Sequence, residues 1–278
     1  MKNIVLYPNA ERDIDFELTK KVKDMLTQHG MPCMICPHFG ESGDDGTTRR
    51  LMERAGMVIT FGGDGTILRA ARITSLWDVP LLGVNMGAKG FMAELEQSDI
   101  SLILDAAAGN FEIDRRIMLD ITLTRAGEII YSDYALNDAV VSGITKVIDV
   151  ALFGDGKPIC AFSGDGVIIA TPSGSTAYSM AAGGPIVEPS AHNILLTPIC
   201  AHVLDAKPFV LADSRRVTVE IGHLKKNRAC LSVDGCDSVP LSSGDMISVK
   251  KSQKQTSFVH LPGRSFYKRV NEKLGEKR

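Results

Sequence analysis

The run Gly62-Gly63-Asp64-Gly65-Thr66 sets a carboxylate inside a glycine loop. Met57 to Phe61 form a short apolar run before it, and Ile67 to Thr74 follow with Leu68, Ala71 and Arg72 at helical spacing. The loop therefore belongs to a strand-to-helix turn. Backbone N–H groups and the positive end of the helix dipole attract anionic oxygens there, and glycines permit close approach. A carboxylate in that place repels phosphate, so it needs a reason. Asp64 either holds a Mg²⁺ that bridges to phosphate, or accepts the proton of a hydroxyl that attacks one. The alternative without chemistry is a tight turn in which Asp64 caps the helix. No Gly-Lys-Ser/Thr closes the loop, so it is not a Walker A sequence.

Two other segments carry polar groups into apolar surroundings. Asn137-Asp138 lies between Ala135-Leu136 and Ala139-Val140-Val141, which suggests a bulge or turn. An amide beside a carboxylate suits a ribose diol, and an Asx turn explains the pair without a ligand. Gly164-Asp165-Gly166 precedes an apolar strand, Val167 to Ala170, which runs into Thr171 through Pro185. That stretch reads as a hydroxyl-rich helix start and a helix of small residues closed by Gly183-Gly184-Pro185. It offers donors and little bulk to a flat polar ligand such as adenine, with the Ser173 and Thr176 hydroxyls near its edge; tight packing against a neighbouring element or subunit is the alternative. A further Gly154-Asp155-Gly156 between two strand-like runs is a hairpin turn.

The elements that must hold these residues change character near residue 112. Before it, strands at Asn3 to Tyr7, Met31 to Ile35, Met57 to Phe61 and Pro80 to Val84 alternate with helices. These helices are marked by Leu18, Val22, Met25 and Leu26 ahead of Gly30, then by Thr47 to Ala55 and Ser98 to Ala108. Such alternation implies a parallel sheet with helices on both faces, and ligands bind beyond the carboxyl ends of its strands. After Phe111 the period becomes two, with Ile117, Leu119, Ile121 and Leu123 on one face. Gly127 turns this strand toward Ile129 to Tyr134; Lys146 to Phe153 pairs with Lys157 to Phe162; further strands fall at Arg216 to Ile221, Arg228 to Val233 and Met246 to Val249. The last segment, Arg264 to Leu274, carries Phe266, Tyr267, Val270 and Leu274 on one helical face and is expected to return to the first domain. The expected fold is α/β plus all-β. A Rossmann-like domain spans residues 1–112 with 252–278 returning to it, and a mainly antiparallel β domain spans 113–251.

With 278 residues and 44% hydrophobic content the chain can bury two cores. A formal net charge of -2 and a pI near 6.3 argue against a nucleic-acid binder, which needs a basic face. The first residues run directly into a strand and no 18-residue apolar segment occurs, so a soluble cytoplasmic protein with no membrane partner is expected. The six cysteines lack the spacing of a disulfide framework. Cys33 and Cys36, near His38, point to opposite faces if Met31 to Cys36 is a strand, and no second pair completes a tetrahedral metal set. No protein metal ligand is assigned.

Together the segments resemble the NAD kinase family over most of the chain. The resemblance rests on Gly62 to Thr66 with Arg69, Asn137-Asp138-Ala139-Val140-Val141, Gly164-Asp165-Gly166 leading into Thr171 through Pro185, Leu196 to His202, and Arg264-Ser265-Phe266-Tyr267. Diacylglycerol-type lipid kinases share the glycine run and phosphofructokinases nearly so, but neither joins it to the other segments. The resemblance implies transfer of a phosphoryl group from ATP or polyphosphate, with Mg²⁺, to the 2′-hydroxyl of the adenosine ribose of NAD, giving NADP. Asp64 would be the general base. Asn137 and Asp138 would bind ribose hydroxyls, Ser173, Thr176 and Ala177 would surround adenine, and Tyr178 and Ser179 fall in the same binding segment. Asp165 would lie near the nicotinamide end. Gly65, Arg69 and Phe91 complete the substrate set; Arg69, one helical turn beyond the loop, is either a phosphate contact or a solvated helix residue. Family members are homodimers or homotetramers whose sites can borrow residues from a neighbour, Asp165 among them. Three departures stand out: Lys89-Gly90-Phe91 for Leu-Gly-Phe, Asp234-Gly235-Cys236 for Asp-Gly-Gln, and Ser163 where a basic residue often precedes Gly-Asp-Gly, a loss for which Lys146 could compensate. A sensor that binds a dinucleotide without turnover is the competing function; retention of Asp64, Asn137 and Asp138 argues against it.

Overall fold

The computed structural model describes residues 2–36, 47–87, 90–203, 206–224 and 228–275. They form two compact units, Met1–Arg116 with Gln255–Arg278, and Ile117–Lys254.

The first unit opens with β1 (Asn3–Pro8), α1 (Glu17–Gln28), β2 (Cys33–Ile35), α2 (Thr47–Arg54), β3 (Ala55–Gly62), α3 (Asp64–Thr74), β4 (Leu81–Asn85), β5 (Leu95–Glu96) and α4 (Ile103–Ala107). Its strands are parallel in the order β2-β1-β3-β4, with β5 beside the end of β4. Leu6, Ile59 and Leu82 are fully buried against Val22 and Leu26 of α1, as expected where helices cover a parallel sheet. Gly30, at φ +71°, ends α1 in the left-handed region that a β-carbon disfavours. The helix expected over Ser98 to Ala108 is instead a 3₁₀ segment, Gln97–Leu102, passing into α4. A reciprocal pair of side-chain bonds between Glu96 and Asp99 starts the segment one residue earlier.

Strand β6 (Glu112–Arg125) carries the chain into the second unit. There follow β7 (Glu128–Ala135), β8 (Asp138–Gly143), β9 (Ile148–Gly154), β10 (Lys157–Gly164), β11 (Gly166–Ala170), α5 (Tyr178–Ala181), β12 (Asn193–Ile199), β13 (Phe209–Ala212), β14 (Val217–Ile221), β15 (Ala229–Val233) and β16 (Val239–Leu241). Six strands run antiparallel as β13-β12-β11-β8-β15-β16. Val141, Val167, Ile169 and Leu231 from this sheet share one core with Leu152 and Val219 of the antiparallel β10-β9-β14 set. Period-two strands that face each other in this way bury one side each. The β9–β10 turn has Asp155 at φ +50° and Gly156 at φ +77°, the conformation a two-residue hairpin demands. Strand β9 starts at Ile148 rather than Lys146. The chain first folds back under Gly143, where a β-carbon would lie 2.2 Å from the Lys146 carbonyl.

Strand β17 (Met246–His260) pairs with β14 in the second unit, and its last part returns to the first, where Phe258 lies parallel beside Leu81 of β4. Helix α6 (Phe266–Gly275) completes the first unit, held by polar groups rather than by the expected apolar face. Tyr267 and Leu274 are exposed, while Arg269 donates to the carbonyls of Phe91 (3.3 Å) and Ala93 (2.6 Å) and pairs with Glu94 (3.1 Å). Among the described residues no helix is long and apolar enough to cross a membrane.

Candidate functional site

In the first unit the glycine loop ends the buried strand β3 and starts α3, so Asp64 is held on rigid elements. Gly62 has no room for a side chain: a β-carbon would meet the Thr66 hydroxyl oxygen at 2.3 Å. Gly63, extended at φ −100° and ψ −172°, is the N-cap residue, and Asp64 is the first residue of the helix. The Asp64 carboxylate does not cap its own helix. It reaches across to the segment after β4, where Oδ2 accepts the N–H of Phe91 at 2.9 Å and Oδ1 that of Met92 at 3.2 Å. An ionised carboxylate has about four acceptor positions, so two backbone bonds leave acceptor capacity for a substrate proton. Gly90 makes this approach possible, since a β-carbon there would lie 2.0 Å from Asp64 Oδ1. Phe91 is buried, with the Lys273 ammonium 4.5 Å from its ring centre; Gly65 and Arg69 are exposed. Lys89 lies outside the described residues.

Among the described residues no three His, Cys, Asp or Glu side chains converge as a metal cluster. Cys33 and Cys36 are partly buried free thiols, and His38 lies outside the described residues. Mg²⁺ favours oxygen donors from phosphates, water and one or two carboxylates over an all-protein cage. Within Gly62 to Thr66 the one carboxylate is that of Asp64.

In the second unit the polar segments come together at one end of β11. Asp138 opens β8 directly opposite Ala170, the last residue of β11. The chain then enters Thr171, whose N–H donates to the Asn137 carbonyl (2.8 Å) and whose hydroxyl donates to the Leu136 carbonyl (2.5 Å). Gly174 packs so closely on Asn137 that a β-carbon would lie 2.2 Å from its carbonyl oxygen. The long small-residue helix expected here is absent. A 3₁₀ turn, Ser173–Thr176, and the single turn of α5 are separated by Ala177, whose ψ of −130° is not helical. Glycine, serine and threonine are poor helix formers, and Ser175 instead exchanges hydrogen bonds with the backbone of Val187.

Asn137 Oδ1 and Ser173 Oγ are buried side-chain atoms without a hydrogen-bond partner. Unmade bonds of this kind are costly, and they mark where a polar ligand could bind. Thr176 and Ala177 are partly buried beside them, and Tyr178 is exposed. The fully buried Ser179 hydrogen-bonds the Thr197 hydroxyl at 2.8 Å. Asp165 and Lys146 lie elsewhere. Both are exposed, and the Asp165 backbone carbonyl accepts the N–H of Gly143 at the opposite end of β11 from Thr171. Ser163 hydrogen-bonds the Asp149 carboxylate. One chain thus gathers Asn137, Asp138, Ser173, Thr176 and Ala177, but not Asp165 and Lys146.

The functional residue that sequence reasoning passed over is Asp234. Its Oδ2 accepts the N–H of Leu136 (2.8 Å) and its Oδ1 those of Asn137 (2.8 Å) and Asp138 (3.1 Å), while its own N–H donates to the Asp138 carbonyl (3.0 Å). This buried carboxylate shapes the whole Asn137-Asp138 turn. It also works against its neighbour. Burial first, and the Asp234 charge second, push the Asp138 carboxyl up to about 7. The sequence signal for it is the Asp234-Gly235 pair, a turn signature whose residues take φ of +50° and +70°.

Both halves of the chain match known families. Residues 17–109 match the ATP-NAD kinase N-terminal domain and residues 137–261 the ATP-NAD kinase C-terminal domain. The NAD kinase of Ruminiclostridium cellulolyticum is 33% identical over 284 residues, covering 100% of this chain and 99% of the relative. That of Natranaerobius thermophilus is 36% identical over 283 residues, covering 99% and 98%. An NAD kinase from Archaeoglobus fulgidus, solved in complex with ATP, aligns with a TM-score of 0.76 at 27% identity over 99% of this chain and 98% of its own. Yeast NADH kinase, complexed with NADH, shares the fold with a TM-score of 0.86 at 24% identity, covering 100% and 88%. The glycine loop of the first unit and the Asn137-Asp138 turn of the second thus fall inside matched domains on both sides, and the chain belongs to the NAD kinase family.

Proposed function

We propose that this chain transfers the γ-phosphoryl group of ATP to the 2′-hydroxyl of the adenosine ribose of NAD, giving NADP and ADP. The observation that carries the proposal is the buried, unpartnered pair Asn137 Oδ1 and Ser173 Oγ beside Asp138, inside the matched C-terminal domain. Asn137 and Asp138 engage ribose hydroxyls, and Ser173, Thr176 and Ala177 surround the adenine. Asp64 accepts the proton of the 2′-hydroxyl as its oxygen bonds to the γ-phosphorus and the bond to ADP breaks. Gly65 and Arg69 contact phosphate, and Phe91 positions Asp64 through its N–H. When bound with the nucleotide, Mg²⁺ neutralises phosphate charge.

On this assignment residues 1–112 with 252–278 form the domain of the glycine loop, and residues 113–251 the NAD-binding domain. The separation of Asp165 and Lys146 from Asn137 along β11 supports a homodimer or homotetramer in which a neighbouring copy supplies them to the nicotinamide end. The family resemblance favours the cytoplasm as the location.

The test is incubation with NAD⁺, ATP and Mg²⁺, with NADP⁺ detected by an NADP-specific dehydrogenase. NADP⁺ formation is expected, and running polyphosphate and NADH in parallel ranks donors and acceptors. Bound NAD⁺ with no product would overturn the enzymatic assignment in favour of a sensor.

A further inference from the structure

The loop after β1 is absent from every functional role above, yet it sits on the same sheet edge as the glycine loop. Its residues Asn9 and Arg12 are placed by β3 and α3. Asn9 N–H donates to the Phe61 carbonyl (2.8 Å), and Asn9 Nδ2 donates to the Thr66 hydroxyl (2.9 Å) in the first turn of α3. Arg12 N–H donates back to the Asn9 carbonyl (3.0 Å), so the turn is closed beneath the arginine. From the other side, Met86 N–H donates to the Gly62 carbonyl (2.9 Å), tying the segment after β4 to the same strand end.

The Arg12 side chain reaches that second segment. A methyl group placed on Gly87 would lie 3.0 Å from Arg12 Nη1. Strand β3 separates β1 from β4 in the sheet, and neighbouring strands lie about 4.8 Å apart. A guanidinium that starts after β1 and ends on the loop after β4 must therefore cross the end of β3, where Gly62 and Gly63 begin the loop. Gly87 is itself held by Asn85, which is 1% exposed, donates to the Gly87 carbonyl (3.2 Å) and keeps a buried Oδ1 with no partner. Among the described residues no carboxylate neutralises Arg12, which is exposed. The adjacent Asp13 is committed elsewhere, to the Leu18 and Thr19 N–H groups at 3.0 Å each.

From this geometry we infer that Arg12 binds the phosphate chain of the phosphoryl donor at the glycine loop; the inference rests on the kinase function proposed above. The loop carries a carboxylate, which repels phosphate, and a guanidinium crossing the same strand end offsets that charge. Arginine suits the place because its planar fork grips phosphate oxygens with two charge-assisted hydrogen bonds. Gly87 lacks a side chain because the guanidinium lies over it.

The test compares Arg12→Gln, Arg12→Lys and Gly87→Ala with the unaltered chain in two arms. In steady-state kinetics the KM for ATP is expected to rise about tenfold in Arg12→Gln and about threefold in the other two, with the KM for NAD within about twofold. In calorimetry, Mg²⁺-free inorganic tripolyphosphate is expected to bind the unaltered chain and to lose about tenfold in affinity in Arg12→Gln, with the thermal midpoint unchanged. The inference fails if Arg12→Gln keeps its ATP KM and tripolyphosphate affinity within twofold, if the two KM values rise together, or if tripolyphosphate does not bind the unaltered chain. If the unaltered chain makes no NADP, the proposed function fails on its own, and the calorimetric arm still decides Arg12.

Discussion

Asp138→Asn should make the protein more stable, and increasingly so as pH rises. The Asp138 carboxyl titrates near 7 in the fold, chiefly because it is buried and secondarily because Asp234 is close, against about 3.9 in an unfolded chain. The folded state thus holds a proton that the unfolded state has lost between these values, and stability falls as pH climbs from about 4 to 7. The gap of about three units, at 1.36 kcal/mol each, amounts to about 4 kcal/mol above pH 8 and about 1.5 kcal/mol at pH 5. An asparagine has nearly the same shape and never ionises. Hydrogen exchange of the β8 and β11 amides reads the opening of this unit. The ratio of variant to parent protection should grow from roughly 15-fold at pH 5 to about a thousandfold at pH 8. A ratio that stays constant between these pH values, or falls below one at pH 8, refutes the reasoning. The same variant should bind NAD more weakly, which is the expected trade between stability and a site held ready for its ligand.

Asp64→Asn removes the proton acceptor from an almost isosteric side chain, so turnover should be abolished while NAD affinity stays within about tenfold; normal turnover would exclude the general-base role. Gly90→Ala places a methyl group where Asp64 Oδ1 now lies, 2.0 Å from it. The carboxylate can swing away at little cost to stability, so kcat should fall at least a hundredfold, a misplacement effect, with a thermal midpoint close to the parent's; unchanged kcat would show that the Phe91 and Met92 bonds do not position the base. Asp234→Ala strips the acceptor from three backbone N–H groups, each costing about 1–3 kcal/mol when left unmade, less where water enters. Denaturant titration should show a loss of at least 3 kcal/mol, and the KM for NAD should rise more than tenfold; a variant as stable as the parent would exclude Asp234 as the support of the turn.

What was legible in the sequence was local. The apolar runs of β1, β3 and β4 and the Gly154-Asp155-Gly156 hairpin announce themselves within a few residues, and so does the glycine loop between β3 and α3. What was not legible depends on partners far along the chain. Asp234 meets its three donors across 96 to 98 residues, and Asp64 meets Phe91 and Met92 across 27 and 28. The Ser173 to Ala182 stretch misled because small residues carry no hydrophobic period; its conformation is set by the carbonyl of Asn137, against which Gly174 must pack. Strand β12 shows no period-two signal, since Ile194 to Leu196 are consecutive apolar residues and Pro198 interrupts the run. Helix α6 belongs to the first unit as expected, but Arg269 makes the backbone contacts while Tyr267 and Leu274 stay outside.

Strand β17 also bears on how the molecule is made. The second unit is an insertion within the first, so the ribosome finishes residues 117–254 before it supplies the strand segment that lies beside β4. The chain between Arg116 and Phe258 takes roughly 7–30 s to synthesise at about 5–20 residues per second. Throughout that interval the buried Leu81 end of β4 presents an unpaired edge, a template for wrong pairing. The inserted unit can mature during the wait, and completion of the parallel sheet becomes a late step of biogenesis.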